Sequence, residues 1–148
     1  MTQMERQPPS ACIIVIGDEI LSGRTQDTNI RFLAERLGAI GVRLKEARVI
    51  PDVREVIVST LNEMRSRHTY VFTTGGIGPT HDDITADAVA EAQGAPLEED
   101  ASIIAAMAAR LGEPPNAARR RMARIPRGGF LINNPVQGPP GFGIGNVF

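Results

Sequence analysis

The chain has 148 residues, of which 42% are hydrophobic and 22% charged, and its formal net charge is −1. That balance suits one globular domain with a sizeable core, and it gives no electrostatic support to a nucleic-acid or anionic-membrane surface. The single cysteine, Cys12, cannot form an internal disulfide; with no apolar run of membrane-span length and a polar N-terminus unlike a signal peptide, a reducing, cytoplasmic setting is expected.

Residues 1–10 are polar and contain Pro8-Pro9, which predicts a flexible leader before a domain over residues 11–148. Residues 11–17 form a continuous apolar run, the mark of a strand buried on both faces, and Cys12 lies inside it. Residues 29–40 place Ile30, Leu33, Leu37 and Ile40 on one helical stripe that Gly41 ends. Residues 42–50 read as a more polar strand, broken by Pro51. Val53, Val56, Ile57, Leu61 and Met64 then recur at helical spacing, with His68 near the end of that helix, where a cation suits the dipole. Residues 70–74 are a third strand, and a helical pattern spans residues 84–93. Strand and helix thus alternate three times, which predicts an α/β fold with a mainly parallel sheet.

After Gly94 the pattern changes. Residues 97–111 are Ala-rich and read as helix, and residues 116–125 as a second, shorter one. Five arginines lie between Arg119 and Arg127; they read first as a solvated helix face, and second as a holder for a pyrophosphate or an acidic partner. Residues 130–132 are a short apolar run, residues 133–145 a Pro/Gly-rich loop, and residues 144–148 resemble the start of a further strand. The domain is therefore expected to be shortened at its C-terminal end.

Function concentrates in residues 73–87, T-T-G-G-I-G-P-T-H-D-D-I-T-A-D, at a strand-to-helix junction. Gly75, Gly76 and Gly78 let the backbone turn sharply and let a ligand approach its N–H groups. Asp82, Asp83 and Asp87 would repel a phosphate unless a divalent cation sat between, so the pattern predicts phosphate plus metal. The competing explanation is a helix N-terminus whose acids favour its dipole. In parallel sheets ligands gather beyond the carboxyl ends of the strands, and the other two strand exits, with Asp18-Glu19 and Asp52, are acidic as well. Asp52 stands three residues before Glu55, a capping-box-like spacing, so a cap and a site residue are equally open. His81 is read as a solvated loop residue, with proton transfer or metal binding as the alternative. No Ser-His-Asp order, Cys-His pair or zinc spacing is present.

Three ordered segments carry a resemblance: I-G-D-E-I-L-S-G at 16–23 with Thr28-Asn29, the run at 73–87, and N-P-V-Q-G-P-P-G-F at 134–142. In these the chain resembles the molybdopterin-binding domain superfamily (MoaB/MogA-like fold), and within it the N-terminal domain of the competence/damage-inducible protein A (CinA) family. The resemblance implies a three-layer α/β/α fold and a phosphorylated ligand: molybdopterin, ADP-ribose or a related nucleotide. It implies ligand binding by Thr74, Gly75, Gly76, Gly78, Pro79 and Thr80, with Asn134, Gly138 and Gly141 in a second loop. It places catalytic aspartates at Asp83 and Asp52, and a divalent metal such as magnesium on Asp83, Asp82 and Asp87. Ile77 and Asp82 stand where related molybdopterin adenylyltransferases carry a threonine and an arginine. That departure favours metal-dependent phosphoanhydride hydrolysis of the ADP-ribose pyrophosphatase type over adenylyl transfer in molybdenum cofactor biosynthesis or a non-catalytic binding module. The resemblance also implies a homo-oligomer, dimer or trimer. The nicotinamide-mononucleotide deamidase domain that often follows in such proteins has no counterpart in these residues.

Overall fold

The computed structural model describes residues 6–136 and 138–148; residues 1–5 of the expected leader and Gln137 of the third segment lie outside them. The three long strands form a parallel sheet in the order β2-β1-β3, from β1 (Ser10–Ile16), β2 (Arg43–Ile50) and β3 (Tyr70–Thr74). β1 is central, which explains its unbroken apolar sequence: Ala11 to Ile16 are all buried. A short turn of helix, α1 (Asp18–Leu21), follows β1 directly; sequence periodicity gave no sign of four residues.

Helices cover both faces. α3 (Arg54–Arg67) and α4 (Thr85–Gln93) bury Ile57, Leu61, Met64, Ala88 and Val89 against Cys12, Ile14, Ile16 and Val71. On the other face α2 (Asn29–Ala39) packs Leu33 and Leu37 against Ala11, Leu44, Tyr70 and Phe72. This is the α/β/α layering expected. Ile40, placed on the α2 stripe by spacing, is instead 74% exposed because the helix ends before it. Asp52 does not cap α3: Val53 holds that position, without a side-chain cap bond. His68 ends α3, and its ring Nε2 lies 3.0 Å from Glu46 on β2 rather than on the helix carbonyls.

Beyond Gly94 the elements are short. Residues 97–99 are a strand, β4 (Leu97–Glu99), pairing antiparallel with β5 (Arg124–Pro126), so the expected helix starts later as α5 (Ala101–Leu111). Asp100 accepts from the amides of Ser102 and Ile103 and so fixes that start. The second helix is cut to α6 (Ala117–Arg121), capped by Asn116, because β5 claims Arg124. β6 (Phe130–Ile132) pairs antiparallel with β7 (Gly141–Gly143), which spacing read as loop. The last residues run parallel to β3: the Val71 amide donates to Asn146 O and the Phe148 amide to Val71 O. The strand suspected at residues 144–148 is not formed: residues 145 and 146 turn, and an isolated bridge from Val147 to Val71 is what joins this end to the β3 side of the sheet.

Candidate ligand site

The glycine turn begins where β3 ends. Gly75 and Gly76 take φ of 91° and 64°, the left-handed region. Space is tight as well: a Cβ on Gly75 would stand 1.9 Å from the Ile16 carbonyl oxygen, and one on Gly76 would stand 2.3 Å from Thr85 Oγ1. Thr85, buried at the start of α4, donates its hydroxyl to Gly75 O at 2.8 Å and its amide to Gly76 O at 3.1 Å. The helix thereby clamps the turn. A Cβ at Gly78 would meet the Asp83 carboxylate at 2.8 Å, so the loop folds back over its own acid.

Each acid has its own neighbours. Burial pushes the Asp83 carboxyl up, but the Thr80 hydroxyl at 2.7 Å, the Gly78 and Thr80 amides and the Arg121 charge outweigh it, and the group sits below the usual carboxylate range. Asp87 is paired with Arg124 at 3.2 Å. Asp82 is exposed and faces the equally exposed His81, 3.2 Å away. The set expected to share a cation thus turns to three different partners. Among the described residues no group of three or more His, Cys, Asp or Glu side chains is placed to hold a metal ion. As arranged, this donor set does not fit a divalent cation.

The strand exits do converge. Asp52 Oδ2 accepts from the Asp18 amide at 3.4 Å. Burial raises the Asp52 carboxyl, the Asp18 amide opposes this, and the charges of Asp18, Glu19 and Asp82 raise it again; the net direction is up. Asp52 and Asp83 therefore diverge in character, one pushed towards protonation and the other held ionised.

Beside the turn lies a cavity of about 450 Å³. Phe32 and Leu33 of α2, Phe72 and Thr74 of β3, Ile77, Gly78 and Asp83 of the loop, and Arg121, Arg124 and Phe148 from the C-terminal part line it. Phe72 stacks on Phe148, with ring centroids 5.5 Å apart. A second cavity of about 280 Å³ lies against α5 and holds Asn134 and Gly138; Pro140 borders both. Of the residues the sequence suggested, Thr74, Gly78, Asp83 and Gly141 line the larger cavity. Gly75, Gly76, Pro79, Thr80, Asp52, Asp82 and Asp87 shape or flank the loop without lining either. Sequence reasoning missed the aromatic wall, and it offered Arg121 only within the group of five arginines as a second reading. Phe72 alternates with buried Val71 and so shows itself as a residue of the opposite face; nothing in the sequence singles out Arg121 among its neighbours.

The sequence profile described as "Probable molybdopterin binding domain" matches residues 12–145. The chain belongs to that family, in its CinA-like branch. A CinA-like protein of Myxococcus xanthus is 40% identical over 131 residues, which are 86% of this chain and 31% of that protein. The chain therefore spans about a third of the length of such relatives. The crystal structure of CinA from Thermoplasma acidophilum, described as of unknown function, superposes with a TM-score of 0.85 at 32% identity, covering 91% of this chain and 80% of that one. A probable FAD synthase of Caenorhabditis briggsae is 47% identical over 85 residues, 55% of this chain and 16% of that protein. The molybdopterin-binding domain family thus accounts for the fold, and the matched span contains the glycine turn and the loop after β6. Among the described residues no helix is long and apolar enough to cross a membrane.

Proposed function

We propose that this domain binds a phosphorylated pterin or nucleotide in the larger cavity and hydrolyses a phosphoanhydride bond within it, as an ADP-ribose pyrophosphatase does. The cavity carries the reading. It joins an aromatic wall, Phe72 on Phe148, to a polar end where Thr74 and Gly78 stand with the guanidinium groups of Arg121 and Arg124. A flat heterocycle is matched by the first and a charged tail by the second. At about 450 Å³ it falls among ordinary small-molecule sites, roughly 300–1,000 Å³. The likeness to a probable FAD synthase agrees, since FAD is itself a dinucleotide joined by a phosphoanhydride.

In this reading the phosphates extend from the glycine turn towards the rim. Asp83, kept ionised by Thr80 and Gly78, holds the loop in its closed-back shape. Asp52, which stands beside the loop outside the cavity lining and whose carboxyl is raised by burial, is the base in this reading and takes the proton from the attacking water. An oxygen–phosphorus bond forms to water as the bridging one breaks, and the leaving phosphate carries away the bridging oxygen. Phosphoryl chemistry depends mainly on positioning and charge, so no protein nucleophile is needed.

One observation favours a second reading, binding without turnover: Asp83 and Asp87 already hold partners inside the protein. Incubation with ADP-ribose, with and without added magnesium, separates the two when AMP and ribose 5-phosphate are read by mass and binding by calorimetry. Release of both products supports hydrolysis. Binding without products leaves the module, and absence of binding removes both.

A further inference from the structure

The arginines that read as one solvated face are not equivalent. Arg120 pairs with Glu99, Arg124 with Asp87, and Arg127 with Glu98. Arg121 has no ion pair among the described residues, and its Nε is buried without a hydrogen-bond partner. Its side chain lines the larger cavity together with Gly78 and Asp83. The nearby carboxylate of Asp83 is already engaged by the Thr80 hydroxyl and amide. A guanidinium at a cavity wall with no carboxylate partner is matched in charge and geometry by an oxyanion that a ligand supplies. The glycine loop carries no lysine or arginine, and its one basic side chain, His81, is exposed beside Asp82, so a guanidinium for the ligand has to come from another element. The last residue of α6 provides it, with the chain next to it fixed by buried Ala123 and by Met122.

We propose that Arg121 is the phosphate-recognition residue of the cavity, holding the ligand's oxyanion and selecting phosphorylated heterocycles over their unphosphorylated counterparts. This rests on the reading of the cavity as the ligand site and does not depend on turnover.

Calorimetric titration with AMP and with adenosine tests it. Wild-type protein is expected to prefer AMP by at least tenfold. Arg121→Gln should remove that preference and leave adenosine affinity within about twofold, whereas Arg121→Lys, a point charge without the planar fork, should retain part of it. Arg120→Gln, whose side chain is engaged by Glu99, should bind as wild type does. A folded Arg121→Gln that keeps full preference for AMP, or that loses both ligands equally, overturns the proposal. If the glutamine variant does not fold, an Arg121→Lys variant with unaltered preference does the same. Wild-type protein that binds both probes equally overturns the role of Arg121 and leaves the cavity as a ligand site; wild-type protein that binds neither overturns both.

Discussion

The segment from β1 to α4 and the segment from β4 to the end contribute to the cavity in different ways. The first is built on a parallel sheet with a continuous core, in which Ile13, Ile14, Ile57 and Leu61 are fully buried. It supplies a turn held against Ile16 and Thr85, together with side chains such as Phe72, Thr74 and Asp83 that project from the sheet and loop. The second has two-strand pairings and a small separate cluster of Ile103, Met107 and Ala123. It supplies side chains: Arg121, Arg124 and the ring of Phe148.

The difference can be broken most severely at Gly75. Gly75→Ala drives a methyl group into the Ile16 carbonyl from a left-handed backbone. A loss of about 3 kcal/mol or more is expected, visible as a fall in Tm of roughly 10 °C. An unchanged melting curve would mean that the turn is not fixed by the sheet. Met107→Ala probes the other segment and should cost about 2 kcal/mol, at the low end for a buried methionine, because its cluster is small. Amide exchange should then quicken in β4, α5 and β5 while β1 stays protected. Equal acceleration in β1 would show that the two segments unfold as one.

The smallest effect is expected at Asp52. Its folded-state carboxyl is raised, so its contribution favours folding below about pH 3.9, the unfolded value, and is lost as pH rises through the folded value. Asp52→Asn removes that penalty. The variant should melt a few degrees higher than wild type at pH 7, and the gap should close towards pH 4. A gap of equal size at both pH values would exclude ionisation as its cause. Loss of turnover with ADP-ribose in the same stabilised variant would tie the strain at Asp52 to chemistry.

The two segments also differ in how far the sequence disclosed them. Apolar runs and helical spacing reveal β1, β3, α2, α3 and α4 because each element is long enough to repeat its period against one core. The glycine turn is legible for the same reason, since its neighbours on both sides are regular. β4 and β7 are three residues each, too short for a period to emerge, and they exist only because β5 and β6 pair with them. Leu97 followed by Glu98 and Glu99 reads equally well as the start of a helix; tertiary pairing decides it. Asp52 shows the limit for single residues: its spacing suits a cap, but the chain entering α3 turns at Val53 and the carboxylate goes to Asp18 instead. Charge alone does not disclose that Arg119 and Arg121 are the two of the five without an ion pair among the described residues, nor that only Arg121 of these lines the cavity. Arg121 therefore emerges only when the structure places Glu99, Asp87, Glu98 and the cavity wall.

Cys12 has a practical corollary. It lies in the central strand, 1% exposed, and burial pushes its thiol up to about 11. A sulfhydryl so shielded and so reluctant to ionise reacts with alkylating reagents only when the middle of the sheet comes apart. As the sole cysteine, it offers a native clock for global opening, one that needs no engineered label and stays silent while the periphery breathes.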